Sequence, residues 1–442
     1  MLIRDAEVDG VPGLDVRIEA RRIVDVGRRL TRRAGEEVHA ADGGALIPGL
    51  HDHHVHLRAW AATRWSVPLG DVHGPEAFDR RLRTAAGSAP DGIWLRGVGW
   101  HERAHGELDR ARLDALTGGR PARVQHRTGA LWVLNSAALA LTGAPDDVSA
   151  ATGRLHRLDD WLRARVAAVG PDPFPAAVRA LGAEAAGYGV TRFTDATPGR
   201  DRAETEALTG LGLPQLLRLM SPTGVGPGPQ KIVLDDPTLP PVETLARTIR
   251  GIHRSGSAVA VHCVTAEQLV TLVAAVEEAG RVAGDRVEHA GIVPPGYADR
   301  LAALGLAVVT NPGFLADRGD AYRREVRPPE RDWLYPARSL LDAGVTLAAA
   351  TDAPFGPADP WIAIAAAVDR LTPDGEVLGP HERISPSEAL ALFHRDPDGG
   401  PGRAGGAVRR VAVGQPADVC LLHVPLDVAL RAPSSENVRT TF

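Results

Sequence analysis

The chain has 442 residues, 44% hydrophobic and 24% charged, with a formal net charge of -5. That is the balance of a soluble globular protein, sized for two or three domains or for one large barrel with additions. The charge is modest and the basic residues form no long block, which argues against nucleic acid and an anionic membrane as partners.

Only two cysteines are present, Cys263 and Cys420, too few for a disulfide framework. The start Met-Leu-Ile-Arg-Asp has no apolar leader, and no apolar run reaches the roughly 18 residues of a membrane span. A reducing cytoplasm is therefore the expected compartment.

Residues 1–46 alternate in short apolar runs such as 16–20 and 23–26, with Gly or Asp at the turns, and predict a small antiparallel sheet. The last forty residues repeat the pattern: a run at 408–413, a Gly-Gln-Pro turn at 414–416 and a run at 417–424. Each end is too short to stand alone, so residues 1–48 and 405–442 are expected to form one small β domain.

Between them, residues 49–404 alternate short apolar strands with Ala/Leu-rich helices. After a first strand in the stretch 47–57, seven more are expected at 189–196, 214–220, 231–234, 258–262, 286–289, 307–310 and 346–350, with helices such as 266–279 and 298–303. Eight strands in this order predict an α/β fold, a (β/α)8 TIM barrel. Residues 58–186 do not fit one crossover. They hold strand-like runs at 92–97 and 122–126 and a helix at 158–166, and read as an insertion after strand one.

The first strand carries His54 and His56. Residues two apart on a strand share a face, so both imidazoles aim at one point. The pair alone is weak, since chance gives roughly 0.6 His-x-His pairs in a chain this rich in histidine. His51 and His53 make a second pair that points the other way, with Asp52 on the face of His54 as a supporting group.

Lys231 is the single lysine among 50 Lys plus Arg. An amine can lose its proton and act as a nucleophile where a guanidinium cannot. Lys231 opens strand four, His262 ends strand five, His289 ends strand six and Asp352 follows strand eight. Strand ends of a barrel converge on one pocket. Four imidazoles and a carboxylate suit zinc, with manganese, iron and cobalt also open. If Lys231 reacts with carbon dioxide, the carbamate is an anionic oxygen ligand able to bridge two metals.

The ordered set Pro48-Gly49-Leu50, His54, His56, Lys231, His262, Val287-Glu288-His289-Ala290 and Thr351-Asp352-Ala353-Pro354 resembles the amidohydrolase superfamily. More narrowly, it is similar to the branch of the N-substituted formamide deformylases. The resemblance covers nearly the whole chain and implies that the two ends form a β-sandwich. It implies that His54 and His56 bind the more buried of two divalent ions, most simply zinc, that carboxylated Lys231 bridges, and that His262 and His289 bind the second. Asp352 would both ligate and exchange a proton. A hydroxide between the metals would attack a polarised carbonyl, and Asp352 would pass its proton to the leaving nitrogen.

Trp100-His101-Glu102, Gln125-His126-Arg127 and the run 131–136 resemble segments that line the substrate pocket. Relatives read Ser-Gly-His where this chain reads Thr128-Gly129-Ala130, so one pocket histidine is missing. Trp100, His101, His126, Arg127, Asn311 and Arg318 are the candidate substrate contacts, Arg318 with Tyr322 and Arg323 as a clamp for a carboxylate. Cys263 is expected to be a buried thiol facing the helices.

These readings converge on a cytoplasmic hydrolase of a non-peptide carbon–nitrogen bond in an amide, formamide, cyclic imide or carbamate. Its expected partners are a small-molecule substrate and, as a homodimer, a second copy of the chain. One rival is a mononuclear deaminase of an aminated heterocycle, which has no use for Lys231. Another is a metal-binding barrel that has lost catalysis, although no ligand is missing.

Overall fold

The computed structural model describes residues 1–89, 94–143, 145–166, 174–199, 202–220, 228–398 and 406–442. The expected strand start at 92 and the expected domain boundary at 405 lie outside them. The chain divides into two compact units, Met1–Leu57 with Arg179–Phe442, and Arg58–Val178.

The first unit opens with β1 (Leu2–Val8), β2 (Val11–Glu19), β3 (Arg22–Gly27) and β4 (Val38–Ala40), in the order β3-β2-β1-β4. Asp9 and Gly10 close the first hairpin, both at positive φ (49° and 78°), the turn that matches strand twist. The sheet is not wholly antiparallel as expected, because β4 runs parallel to β1. The segment between β3 and β4 is long enough to cross back, and buried Arg17 pins it by bonding Glu36 Oε1 at 2.7 Å and Thr31 O at 2.6 Å. Next come β5 (Leu46–Pro48) and β6 (Leu50–Val55), every residue of which is buried.

The second unit holds β7 (Val67–Pro68), β8 (Leu95–Trp100), β9 (Ala122–His126), β10 (Leu131–Leu134) and β11 (Arg154–His156), in the order β11-β10-β9-β8-β7. The helix Pro75–Ser88 lays Phe78 and Leu82, four apart on one face, into an apolar cluster with Trp100, Leu113, Val124 and Val133.

Back in the first unit, β12 (Val190–Asp195) pairs in parallel with β6 on one side and with β13 (Leu216–Leu219) on the other. β14 (Gln230–Val233), β15 (Val259–Cys263), β16 (Arg286–His289), β17 (Ala307–Thr310) and β18 (Leu347–Ala349) form a second parallel sheet in chain order. Beyond β18 the chain returns to β6, where Asp352 N donates to His54 O at 2.9 Å and His56 N to Ala353 O at 2.8 Å. Strands β16 to β18 are buried throughout, as parallel strands covered on both faces must be. The helix Ala266–Ala279 starts at a capping box of Thr265 and Gln268, which gives the expected boundaries.

The chain ends in β19 (Val419–Leu422) and β20 (Val438–Thr441), an antiparallel sheet in the order β20-β19-β5. Both ends feed one cluster of Ile3, Val16, Ile23, Leu46, Val411, Val419 and Leu421. No strand forms at 408–413, where Val408 makes a single bridge with Arg395. Arg409 turns inward to Asp418 (2.7 Å) and to Gly49 O, which holds this segment as irregular backbone.

Gly49 sits where β5 passes into β6, and a Cβ there would overlap the Thr191 side chain on β12. Gly49→Ala is expected to destabilise the fold by about 1–3 kcal/mol, the usual penalty of overpacking. An unchanged denaturation midpoint would show that β12 yields freely.

Candidate metal centre

His54 is the fifth residue of β6, and His56 follows its end. Their ring centroids lie 5.3 Å apart, and their Nε2 atoms converge on Asp352 Oδ1, at 3.7 Å from His54 and 3.2 Å from His56. The donor atoms of these three residues all lie within 4.8 Å of one another. Lys231 Nζ donates to His54 Nε2 at 3.1 Å, the His289 ring lies 4.7 Å from that of His54, and the His262 ring lies 4.6 Å from that of His289. All six expected ligands therefore form one continuous group.

Backbone strain helps to gather them. His289 (φ 71°) and Asp352 (φ 59°) both adopt the left-handed region, which costs a non-glycine residue about 1–3 kcal/mol and persists only where its surroundings enforce it. At His289 it breaks strand alternation, so that Glu288 and His289, neighbours in sequence, both reach His54. At Asp352 it follows the clamp made by Asp52, whose carboxyl accepts from Thr351 N (3.0 Å) and Thr351 Oγ1 (2.5 Å).

Burial holds the imidazoles of His54, His262 and His289 in the neutral form, with pKa values below the ordinary one. Burial also brings the Lys231 amine down to about 8 and pushes the Asp52 carboxyl up to about 7. It works to raise Asp352 too, but the close His56 nitrogen works against it and the carboxyl lies below its ordinary range.

His51 Nε2 meets Thr194 Oγ1 at 2.8 Å, in keeping with its outward direction. Cys263 and Cys420 are free and buried, and burial pushes the Cys420 thiol up to about 12.

Neutral imidazoles beside an ionised carboxylate are the donor set a zinc-like divalent ion takes. The fit is supported by Asp352 Oδ1, a buried oxygen that takes no aligned hydrogen bond. Glu288 completes the arrangement; from the sequence it was named beside His289 but given no role. Its Oε2 accepts from His54 Nδ1, which turns the Nε2 lone pair toward Lys231 and Asp352. Arg286 Nε in turn donates to Glu288 Oε1 at 2.5 Å, and Arg286 Nη1 to Asp398 Oδ1 at 2.7 Å. The available signal was an acid beside a ligand histidine in an otherwise closed strand.

The family model described as "Amidohydrolase family" matches residues 37–441. The chain belongs to the amidohydrolase family. Membership places it among hydrolases of carbon–nitrogen bonds other than peptide bonds.

The chain is 35% identical over 146 residues to an N-substituted formamide deformylase of Arthrobacter pascens, a match covering 33% of this chain and only 27% of that protein. It is 24% identical over 424 residues to "Putative amidohydrolase YtcJ" of Bacillus subtilis (strain 168), covering 81% of this chain and 80% of that one. The crystal structure of an uncharacterized metal-dependent hydrolase from Pyrococcus horikoshii superposes with a TM-score of 0.70 at 20% identity, covering 89% and 90% of the two chains. That likeness is one of fold.

In this amidohydrolase the expected substrate contacts take several positions. Asn311 is buried and bonds His289 Nδ1 at 2.8 Å and Ala350 O at 3.0 Å, so it orients a candidate ligand rather than offering a free amide. Arg318 stacks over Phe314 and binds Asp317 and Phe355 O. Its guanidinium is engaged by the protein, while Phe355 packs edge-on to His56 at 5.3 Å. Trp100 is a core residue of the second unit, its indole N–H on Gly106 O at 3.1 Å. His101 and His126 gather with Glu102 in that unit, and Arg127 N donates to Trp100 O at 2.8 Å. Among the described residues, no helix is long and apolar enough to cross a membrane.

Proposed function

We propose that this amidohydrolase is a binuclear metal enzyme that hydrolyses a carbon–nitrogen bond of a small amide, formamide, cyclic imide or carbamate in the cytoplasm. In this reading the eight parallel strands close into one (β/α)8 barrel over residues 49–404, and residues 1–48 and 405–442 make the β-sandwich. The observation that carries it is the convergence of His54, His56 and the unsatisfied Asp352 Oδ1 beside the chain's single lysine.

His54 and His56 would hold one ion, His262 and His289 the other, with Lys231 as a carbamate between them and Asp352 on the first. When bound, the ions supply an activated water and polarise the substrate carbonyl. The residues do the rest. Glu288 and Asn311 hold the ligand rings in the tautomers that expose their outer nitrogens. Asp352, ionised and lacking an aligned donor, accepts the proton of the attacking water and delivers it to the leaving nitrogen.

The first measurement is metal per chain by plasma mass spectrometry on protein expressed with zinc and supplied with bicarbonate. Close to two ions per chain are expected at this centre, as the number lost from a variant in which His54, His56, His262 and His289 are all asparagine, followed by turnover in a panel of amides, formamides, imides and carbamates. One ion per chain together with turnover of an aminated heterocycle would favour the mononuclear deaminase instead. Removing the metal is also expected to lower the melting temperature, since an ion at 100 times its dissociation constant contributes about 2.7 kcal/mol to the folded state. Equal melting of the stripped and loaded protein would count against a built centre.

A further inference from the structure

A second set of metal donors is built entirely from residues of the second unit. β8 and β9 run parallel and bring Trp100 opposite His126, while the chain leaving β8 turns at His101 into Glu102. His126 Nε2 lies 3.1 Å from Glu102 Oε2, and His101 Nε2 lies 4.0 Å from Glu102 Oε1. Donor atoms of the three residues fall within 4.8 Å of one another. Ligands about 2.0–2.2 Å from a tetrahedral zinc stand about 3.4 Å apart, and the observed separations bracket that value.

The surroundings hold these donors in place. The His101 amide donates to His105 Nδ1 at 3.0 Å, and His105 Nε2 bonds Val72 O at 2.8 Å, which locks the turn. Thr128 Oγ1 lies 2.8 Å from His126 Nδ1, nearer than the Thr128 amide at 3.3 Å. Because the Thr128 amide donates to Nδ1, the ring proton lies on Nε2 toward Glu102 Oε2 at 3.1 Å in the metal-free protein; an ion binding at Nε2 would shift that proton to Nδ1, where Thr128 Oγ1 is placed to accept it. The imidazole side chains are largely enclosed, at 14% and 12% exposure, while Glu102 is open at 43%, so an ion can enter.

We propose that His101, Glu102 and His126 form a site for a divalent transition-metal ion of the zinc type, with a coordination position left open. Two imidazoles and one carboxylate suit Zn2+, Co2+ or Ni2+ rather than Mg2+ or Ca2+, which prefer all-oxygen shells.

The test uses the full chain, stripped with a chelator and dialysed against Zn2+, with ions per chain read by plasma mass spectrometry and Co2+ absorption as a second readout. His126→Gln and Glu102→Gln are each expected to hold about one ion fewer than the unmodified chain. A His54→Asn, His56→Asn variant, which loses the ion those two residues would hold, is expected to keep one ion more than the same variant carrying Glu102→Gln. This arm makes the site's failure distinguishable from failure of the barrel centre. Circular dichroism of the metal-free proteins checks folding, and Glu102→Gln, at a half-open position, decides the matter if His126→Gln does not fold. Undiminished metal in Glu102→Gln would mean that the three residues are only hydrogen-bonded to one another, and would overturn the proposal.

Discussion

Replacing Lys231 by arginine is expected to abolish hydrolysis while leaving the chain folded. The amine sits on β14, 3.1 Å from His54 Nε2, and burial brings it down to about 8, so a share of it is neutral and nucleophilic near physiological pH. A guanidinium stays charged and has no amine to take up carbon dioxide. It would place a fixed cation where the carbamate would bring negative oxygens.

Loss of partners that merely orient a metal ligand costs 10–100-fold, so loss of a bridging ligand should lower kcat/KM by more than about 100-fold. Metal per chain should fall with it. A companion variant separates charge from chemistry: Lys231→Ala opens a void, and millimolar formate or propionate in the buffer should restore part of the metal and of the turnover. A Lys231→Arg enzyme that keeps its turnover would remove the carbamate from the mechanism and leave the mononuclear deaminase as the better reading.

Much of this was legible because the signal lay in periodicity and order. Parallel strands are short apolar runs with sharp ends, most plainly β16 to β18 where every residue is buried, and β12 to β18 fall within a few residues of their expected places. Polar residues at strand ends are conspicuous against alanine and valine, and His262, His289 and Asp352 stood out for that reason, while His54 and His56 did so as a pair two apart and Lys231 as the single lysine.

The remainder depended on contacts between residues far apart in the chain. Arg409 is one charged residue among many until it is seen bonding Asp418 and Gly49 O, the contact that keeps 408–413 from becoming a strand. Asn311 is one candidate substrate contact among several until its amide is seen accepting from His289 Nδ1 and donating to Ala350 O. The approach of His101 to His126 joins two strands whose pairing no local pattern announces. Glu288 was hidden differently. Alternation assigns it to the face opposite His289, and only the left-handed turn at His289 brings both residues to His54.

Glu288 carries the other large expected effect, and two substitutions divide its roles. Glu288→Gln keeps the size and one acceptor oxygen but removes the charge that ties His54 Nδ1–H to Arg286. Metal affinity, read by competition with a chelator, should fall about 10–100-fold, as it does when a ligand histidine loses its carboxylate partner. The metal-free fold should change less, because Arg286 still pairs with Asp398 at 2.7 Å.

Glu288→Ala goes further. It leaves His54 Nδ1 with no acceptor in a closed interior and strips Arg286 of one of its two anions. Breaking a buried pair in this way typically destabilises by about 3–5 kcal/mol, so the metal-free protein itself should melt earlier. The ordering of the two variants is the diagnostic. If Glu288→Gln binds metal as tightly as the unmodified chain, Glu288 is only a structural counter-ion for Arg286 and His54 is oriented by its strand. If affinity falls while the metal-free melting of Glu288→Gln is nearly unchanged, the carboxylate acts through His54 on the ion.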